Sequence, residues 1–312
     1  MKQILVIGSR GSKLALTQAR LVQSELRRLE PDLETRLEII TTSGDVKTEP
    51  LAVIGGKGVF TKELEDALLD RKIDLAVHSL KDLPTVLAED FAIAAICKRE
   101  DPRDALVLAR GGEKGGHASI GNLPPSAIVG TSSPRRLAQL KHLRKDLVIE
   151  DLRGNVDTRL RKLDGGQYDV LVLACAGLRR LGLENRISAA IPASQMLPSP
   201  GQGALAIETR ADDQETSALL ARLDHKFTRL ACIAERAFLR SLGGGCQLPI
   251  AGYAAVRDKN IKLDGLVADT QGKKIVRDRI SGSIDDAELL GSELAERLLA
   301  SGARELLEHS SE

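Results

Sequence analysis

The chain has 312 residues, of which 42% are hydrophobic and 29% charged, and its formal net charge is +1. This length accommodates two or three domains with separate cores. A net charge near zero argues against nucleic acid or an anionic membrane as a partner of the whole surface. Aromatic residues make up only 2% of the chain, which disfavours base-stacking surfaces. Any anion site must therefore be local.

The apolar runs are short. The run near the N-terminus covers residues 4–7, too few for the core of a signal peptide. The longest run, residues 170–178, cannot cross a bilayer. We therefore expect a cytoplasmic protein without a membrane partner.

In chain order, the first two thirds repeats a β-branched run, a turn and an amphipathic helix. The runs QILVIG, LEIITT, IDLAVHSL and FAIAAICKR form one series, and DALVLA, AIVG, LVIEDL and YDVLVLACAGL form a second series after Asp101. Strands that alternate with helices predict doubly wound, parallel sheets covered on both faces. The fold class is therefore α/β, with two similar domains.

Two segments connect these domains. EDPRD (100–104) is one, and the segment 193–210 is the other, ending in a strand, GALAIETR, that is expected to return to the first sheet. Such a double crossing is typical of a hinged clamp with a cleft between its halves. We predict domain 1 at 1–101 and 202–222, and domain 2 at 102–201. A smaller α+β domain 3 follows at 223–312, with a helix, short strands and a long final helix over 284–308.

The cysteines lie far apart and form no C-x-x-C pair. A zinc site or a disulfide framework is therefore disfavoured, and we expect no metal. Cys97, Cys175 and Cys232 lie in apolar or helical surroundings and are expected in the core. Cys246 alone follows a run of glycines, GGGC. This loop is either a tight turn with a small buried residue or a means of exposing the thiol to a large group.

Basic residues recur directly after the predicted strands. In AIVGTSSPRRLAQL, Ser133 is the expected N-cap and Pro134 the first helical residue, which puts Arg135 and Arg136 in the first turn. Cations there oppose the helix dipole, but free N–H groups and two guanidinium groups together make a strong anion site. Further basic residues occupy similar junctions: Arg10, Lys57, Arg153, Arg159, Arg179 and Arg180. Since open α/β sheets bind ligands beyond the carboxyl ends of their strands, this pattern favours a polyanionic ligand.

Phosphate is the less suitable anion. IGGKGVF lacks the glycine spacing of a P-loop and has Val59 where Ser or Thr is required, and GSRGSKLA is not a dinucleotide-binding motif. Carboxylates, which pair bidentately with arginine, are the better candidate.

The motif HSLKDLP follows a strand that looks buried. Asp82 has two interpretations: it caps a turn marked by Pro84, or it faces the cleft, where it transfers protons and stabilises a developing cation. The residue pattern does not decide between these two interpretations of Asp82. His78 alternates with apolar side chains and is expected to be a hydrogen-bonded core histidine.

Eight motifs then fall in a familiar order: IGGKGVFTKELE, VHSLKDLP, EDPRDAL, GTSSPRRLAQL, LRGNVDTRL, AGLRRLGL, PGQGALAIE and GGGCQLPIAGYA. Together they resemble the porphobilinogen deaminase (hydroxymethylbilane synthase) family over essentially the whole chain. Lys13, Val53 and Pro134 depart from common family residues but remove no core functional group.

The resemblance implies a transferase of tetrapyrrole (haem) biosynthesis that condenses four porphobilinogen units on a dipyrromethane primer. It implies that Cys246 holds this dipyrromethane cofactor through a thioether and that Asp82 is catalytic. It also implies a monomer without a nucleic-acid partner. The expected binding residues are Arg10, Gln18, Lys57, Lys81, Thr131, Ser133, Arg135, Arg136, Arg153, Arg159 and Arg180, of which Gln18 and Thr131 are the weaker assignments.

The alternative is a cytoplasmic anion-binding clamp without catalysis. Two periplasmic-binding-protein-like domains with a cleft between them also serve as solute receptors and effector domains. Such a binder has no evident use for Cys246 in its glycine loop, and this favours the deaminase.

Overall fold

The computed structural model describes residues 4–42, 61–109, 118–245 and 247–308. Two compact units make up the chain: residues 1–100 with 204–229 form the first, and residues 101–203 with 230–312 form the second. The finer division into three domains remains a prediction.

The described strands and α-helices alternate along most of the chain. The strands are β1 (Ile4–Arg10), β2 (Glu34–Ile40), β3 (Leu75–Ser79), β4 (Phe91–Ile96), β5 (Asp104–Leu108), β6 (Ile128–Gly130), β7 (Val148–Glu150), β8 (Val170–Ala174), β9 (Ala189–Ala190), β10 (Leu205–Arg210), β11 (Ile250–Arg257), β12 (Asn260–Ala268) and β13 (Ile275–Ser283). The α-helices are α1 (Lys13–Leu29), α2 (Lys62–Leu69), α3 (Pro134–Leu143), α4 (Val156–Asp164), α5 (Cys175–Arg180), α6 (Gln214–Leu220), α7 (Lys226–Ser241), α8 (Ala287–Leu298) and α9 (Arg304–Glu308).

The first unit is built on a five-stranded sheet in the order β2-β1-β3-β10-β4. Because successive side chains of a strand point to opposite faces of the sheet, β1 contributes apolar side chains to both faces. Leu5 and Ile7 pack in a core with Val22 of α1, whereas Val6 packs on the opposite side against Leu64 of α2. The predicted covering of both faces by helices is confirmed.

The second unit repeats this plan with the order β7-β6-β8-β5-β9. Val129 and Val172 pack with Leu140 of α3 on one face. Leu171 packs with Leu160 of α4 on the other face. The predicted similarity of the two α/β sheets is therefore confirmed.

The predicted parallel pairing is found for β1 with β2 and β3 and for β6 with β7 and β8, but each sheet also contains one reversed strand. Strand β10 runs antiparallel to β3 and β4, and β5 runs antiparallel to β8 and β9. Each reversed strand is the first that the chain forms on entering its unit, so no crossover helix precedes it there. A parallel neighbour requires such a crossover. The predicted return of GALAIETR to the first sheet is confirmed, because this segment forms β10.

A three-stranded antiparallel sheet, β11-β12-β13, completes the second unit. It packs with α7 and α8 around Phe238, which is fully buried. The final helix is not continuous as predicted: α8 ends at Leu298, and Gly302 adopts a left-handed conformation with φ 102° before α9 begins. Glycine reaches this conformation without steric cost.

Candidate functional site

A pocket of the first unit lies at the carboxyl ends of β1 and β3. Its wall includes Arg10, Gln18, His78, Ser79 and Asp82. Arg10 is the last residue of β1, and Asp82 ends a short 3-10 helix, Leu80–Asp82, that follows β3 directly. The structure thus brings together three of the predicted site residues, Arg10, Gln18 and Asp82, and Lys81 directly precedes Asp82 in the chain.

The backbone that presents Asp82 is held by several elements. Gln18 donates from Nε2 to Ser79 Oγ at 2.9 Å, and the Leu80 N–H donates to the Ala204 carbonyl at 3.0 Å. Asp82 itself is exposed. Gln18 is only 3% exposed, so its amide supports the pocket wall from within the fold.

His78 is the hydrogen-bonded core histidine that its alternation predicts. Its Nε2 lies 2.9 Å from Glu208 Oε2, and both residues are buried. Glu65 of α2 lies close enough to Glu208 for the two carboxylates to interact. Burial raises the pKa of Glu65, and the negative charge of Glu208 raises it further. A cluster of ionisable groups therefore lies beside the pocket.

In the second unit, two arginines of the first turn of α3 converge on one buried carboxylate. Arg135 donates to Asp104 at 2.7 and 3.3 Å, and Arg136 donates to it at 3.1 and 2.8 Å. Gln202 adds a hydrogen bond of 3.0 Å. Burial raises the pKa of Asp104, but the charges of both arginines outweigh it, so this pKa lies well below its usual range. Two cations against one anion leave the cluster positively charged.

The start of α3 has the capping geometry that the sequence predicts. Ser133 is the N-cap and accepts from the Arg136 N–H, with Pro134 in the first turn. Thr131 Oγ1 accepts from the Ser133 N–H at 3.3 Å. The predicted residues 131–136 therefore form one structural unit after β6.

The remaining predicted arginines of the second unit differ in their partners. Arg159 donates from Nε to the Gly154 carbonyl at 2.7 Å. Burial, and next the charge of Arg136, lower its pKa to about 10, and it makes no ion pair within the described segments. Arg153 pairs with Asp151 at 2.6 Å, and Arg180 donates to the Gly203 carbonyl at 2.6 Å. Arg159 is therefore a half-buried cation that no carboxylate of the described segments pairs with.

Two predicted site residues, Lys57 and Cys246, lie outside the described residues. The predicted core positions of Cys175 and Cys232 are confirmed, whereas Cys97 is half-buried. Burial raises the pKa of Cys175 to about 12, which keeps this thiol protonated and unreactive. In the described segments no group of three or more metal-ligating side chains is found, and no helix there is long and apolar enough to cross a membrane.

Among the buried acids that the sequence does not predict are Asp104 and Glu208. Both lie in buried strands, DALVL and LAIETR. An acid in a buried strand needs a hydrogen-bond or ion-pair partner. An acidic residue within a predicted buried strand is therefore the sequence signal that indicates such a partner. The identity of each partner depends on tertiary contacts that sequence spacing does not provide.

Basic residues at the ends of strands in two α/β sheets, together with an exposed carboxylate in a pocket, are typical of α/β proteins that bind small anionic molecules. Sequence comparison then identifies the family. The model of "Porphobilinogen deaminase, dipyromethane cofactor binding domain" matches residues 5–218, and that of "Porphobilinogen deaminase, C-terminal domain" matches residues 229–300. The chain belongs to the porphobilinogen deaminase family.

Individual relatives match over nearly their whole length. The chain is 50% identical over 303 residues to porphobilinogen deaminase of Synechococcus elongatus, covering 97% of this chain and 94% of the relative. It is 48% identical over 304 residues to that of Chromobacterium violaceum, covering 97% and 96%.

Among solved structures, the periplasmic aliphatic sulphonate binding protein SsuA from Escherichia coli aligns with a TM-score of 0.42 at 14% identity. This alignment covers 77% of this chain and 71% of that chain.

Proposed function

We propose that this chain is a porphobilinogen deaminase, the transferase also called hydroxymethylbilane synthase. It condenses four porphobilinogen units head to tail on a covalently bound dipyrromethane primer, releases ammonia at each step, and hydrolyses the product to hydroxymethylbilane. The observation that carries the proposal is the family match over residues 5–218 and 229–300, with Asp82 exposed at a pocket at the predicted strand end. A non-catalytic clamp is not favoured.

The donor set of the second unit fits dipyrromethane, whose two pyrrole rings carry acetate and propionate groups. The Asp104 cluster is positively charged, and Arg159 is a cation without an ion-pair partner in the described segments. Cys246 would hold the cofactor through a thioether. When bound, dipyrromethane supplies the free pyrrole carbon to which the first substrate unit is added.

Asp82 is the proposed catalytic residue. Loss of ammonia from the aminomethyl group of porphobilinogen leaves positive charge on the pyrrole. A carboxylate close to the pyrrole N–H stabilises this charge as it develops. The exposed carboxylate of Asp82, fixed by the turn after β3, is suited to this role.

The basic residues have a different role, which is to bind substrate and product carboxylates. Every added pyrrole unit brings two carboxylates, so the need for cations grows with the chain. Arginine suits this task because its guanidinium group binds carboxylates bidentately. Arg10 and Lys81 lie near Asp82 in the first unit, while Arg153, Arg159 and Arg180 serve the second, with Arg135 and Arg136 supplying positive charge from inside the fold.

We further propose a cytoplasmic monomer of tetrapyrrole biosynthesis whose partner is the small molecule porphobilinogen. A net charge of +1 supports the absence of a nucleic-acid or membrane-surface partner.

Porphobilinogen consumption and ammonia release by the purified protein test this proposal. Asp82→Ala should fold normally and lose turnover by about 100-fold or more, as expected when a charge-stabilising group is removed. Asp90→Ala is the matched control, because Asp90 is an exposed acid of the same unit. Near-normal turnover in Asp82→Ala would remove Asp82 from catalysis, and a wild-type protein that consumes no porphobilinogen would contradict the function itself.

A further inference from the structure

His78 and Glu208 form a buried contact at the pocket that Asp82 lines. The His78 and Glu208 side chains are 5% and 0% exposed, with Nε2 and Oε2 2.9 Å apart. The second carboxylate oxygen, Oε1, is buried and accepts no hydrogen bond in the described part of the chain. His78 therefore provides the hydrogen bond that makes burial of this carboxylate tolerable.

This contact belongs to a series of anchors at the end of β3. His78 is joined to Glu208 of β10, Ser79 to Gln18 of α1, and the Leu80 N–H to the carbonyl of Ala204. Three successive residues are thus held by two segments, α1 and residues 204–208, and Asp82 follows two residues later. Among these anchors, the His78 contact joins two buried side chains, and His78 is itself part of the pocket wall.

Glu208 reaches His78 diagonally across the sheet. In the register of β3 and β10, His78 is opposite Ala206 and Glu208 is opposite Ala76. A diagonal side-chain pair links the two strands beyond their backbone hydrogen bonds. The end of β3 is therefore tied to β10, which runs antiparallel to it.

We propose that His78 and Glu208 are positioning residues for Asp82, and that their hydrogen bond fixes the end of β3 and so the place of the Asp82 carboxylate. The inference rests on the proposed function, because it takes Asp82 to be catalytic. The pair acts through Asp82, since Glu208 is fully buried. A displacement of about 1 Å at a catalytic group can cost about 100-fold in rate.

The test uses steady-state porphobilinogen consumption by the holoenzyme. We expect His78→Leu and Glu208→Leu to lower kcat by about 10- to 100-fold, with KM within about threefold of wild type. The intact mass should still show bound dipyrromethane. In His78→Gln, the side-chain amide can donate to Glu208 as the imidazole does, so this variant should recover most of kcat. The double variant should be no worse than the more impaired single variant, because both changes remove the same contact.

Asp213→Asn is the matched control. Asp213 forms a buried ion pair of 2.6 Å with Arg210, which lies on the same strand two residues after Glu208. This control should lose thermal stability and keep kcat. If it lowers kcat as much as His78→Leu does, the effect is general destabilisation and the inference fails.

Other outcomes also overturn the inference. It fails if folded His78→Leu keeps wild-type kcat, or if His78→Gln is no better than His78→Leu. If the leucine variants do not fold, a comparison of His78→Asn with His78→Gln tests the proposal instead. The shorter amide of Asn should not reach Glu208, so kcat should be lower in His78→Asn than in His78→Gln. Equal kcat values in these two variants contradict the proposal. An active wild type with an active His78→Leu contradicts this inference alone, whereas an inactive wild type contradicts the proposed function.

Discussion

Asp104 should be the acid whose loss destabilises the second unit most. Its carboxylate accepts five hydrogen bonds, two from Arg135, two from Arg136 and one from Gln202, and it is 0% exposed. Asp104→Asn keeps the shape but leaves two buried guanidinium groups without a counter-charge. Removal of one partner from a buried ion pair costs about 3–5 kcal/mol. We expect a loss of this size in the free energy of unfolding.

Urea unfolding followed by far-ultraviolet circular dichroism measures this loss, since the chain has no Trp to report by fluorescence. Asp146→Asn is the matched control. Asp146 also pairs with an arginine, Arg144, at 2.7 Å, but at the surface of the same unit. It should change the transition little, because solvent screens exposed pairs. Equal effects of the two substitutions would refute the reasoning that burial, rather than ion pairing as such, sets the cost.

The remaining predictions concern pH and packing. The pKa of Asp104 lies below its ordinary value of 3.8, so the stability from this carboxylate is complete above that pH and is lost as the pH falls towards the lower pKa of the folded state. The stability difference between wild type and Asp104→Asn should therefore narrow below about pH 4, and a difference that widens there in urea titrations would contradict the assignment. Gly291→Ala should destabilise the protein by about 1–3 kcal/mol, because an added Cβ would lie 2.3 Å from the Ala234 carbonyl oxygen and 2.7 Å from Ala237 Cβ. Glu296→Ala, an exposed change on the same helix, is its control in thermal unfolding, and equal midpoints would show that α8 tolerates the extra carbon.

The sequence predicts the local structure of the site well, because that information is local. Ser133 as an N-cap and Arg10 at a strand end follow from neighbouring residues and from the period of the strands. The burial of His78 follows from its alternation with apolar side chains in the same way.

Contacts between distant segments could not be predicted. Asp104 meets Arg135 from 31 positions away, and Glu208 meets His78 from 130 positions away. The reversed directions of β5 and β10 depend on how the chain enters each unit, which strand-and-helix periodicity does not specify. The sequence pattern likewise gives no warning that Arg135 and Arg136 share a buried carboxylate, since a pair of arginines in a first helical turn looks free to bind a ligand.

The proposed function requires that this chain carry a dipyrromethane primer on one cysteine, Cys246. Intact mass spectrometry of the denatured protein tests it most directly, because a thioether survives denaturation. A thioether at Cys246 predicts a mass above that of the unmodified chain by about two pyrrole units, and the unmodified mass in Cys246→Ser. Cys97→Ser, which changes a half-buried cysteine of the first unit, should keep the additional mass. A wild-type protein that consumes porphobilinogen and yet has the mass of the unmodified chain would contradict the proposed attachment of the cofactor.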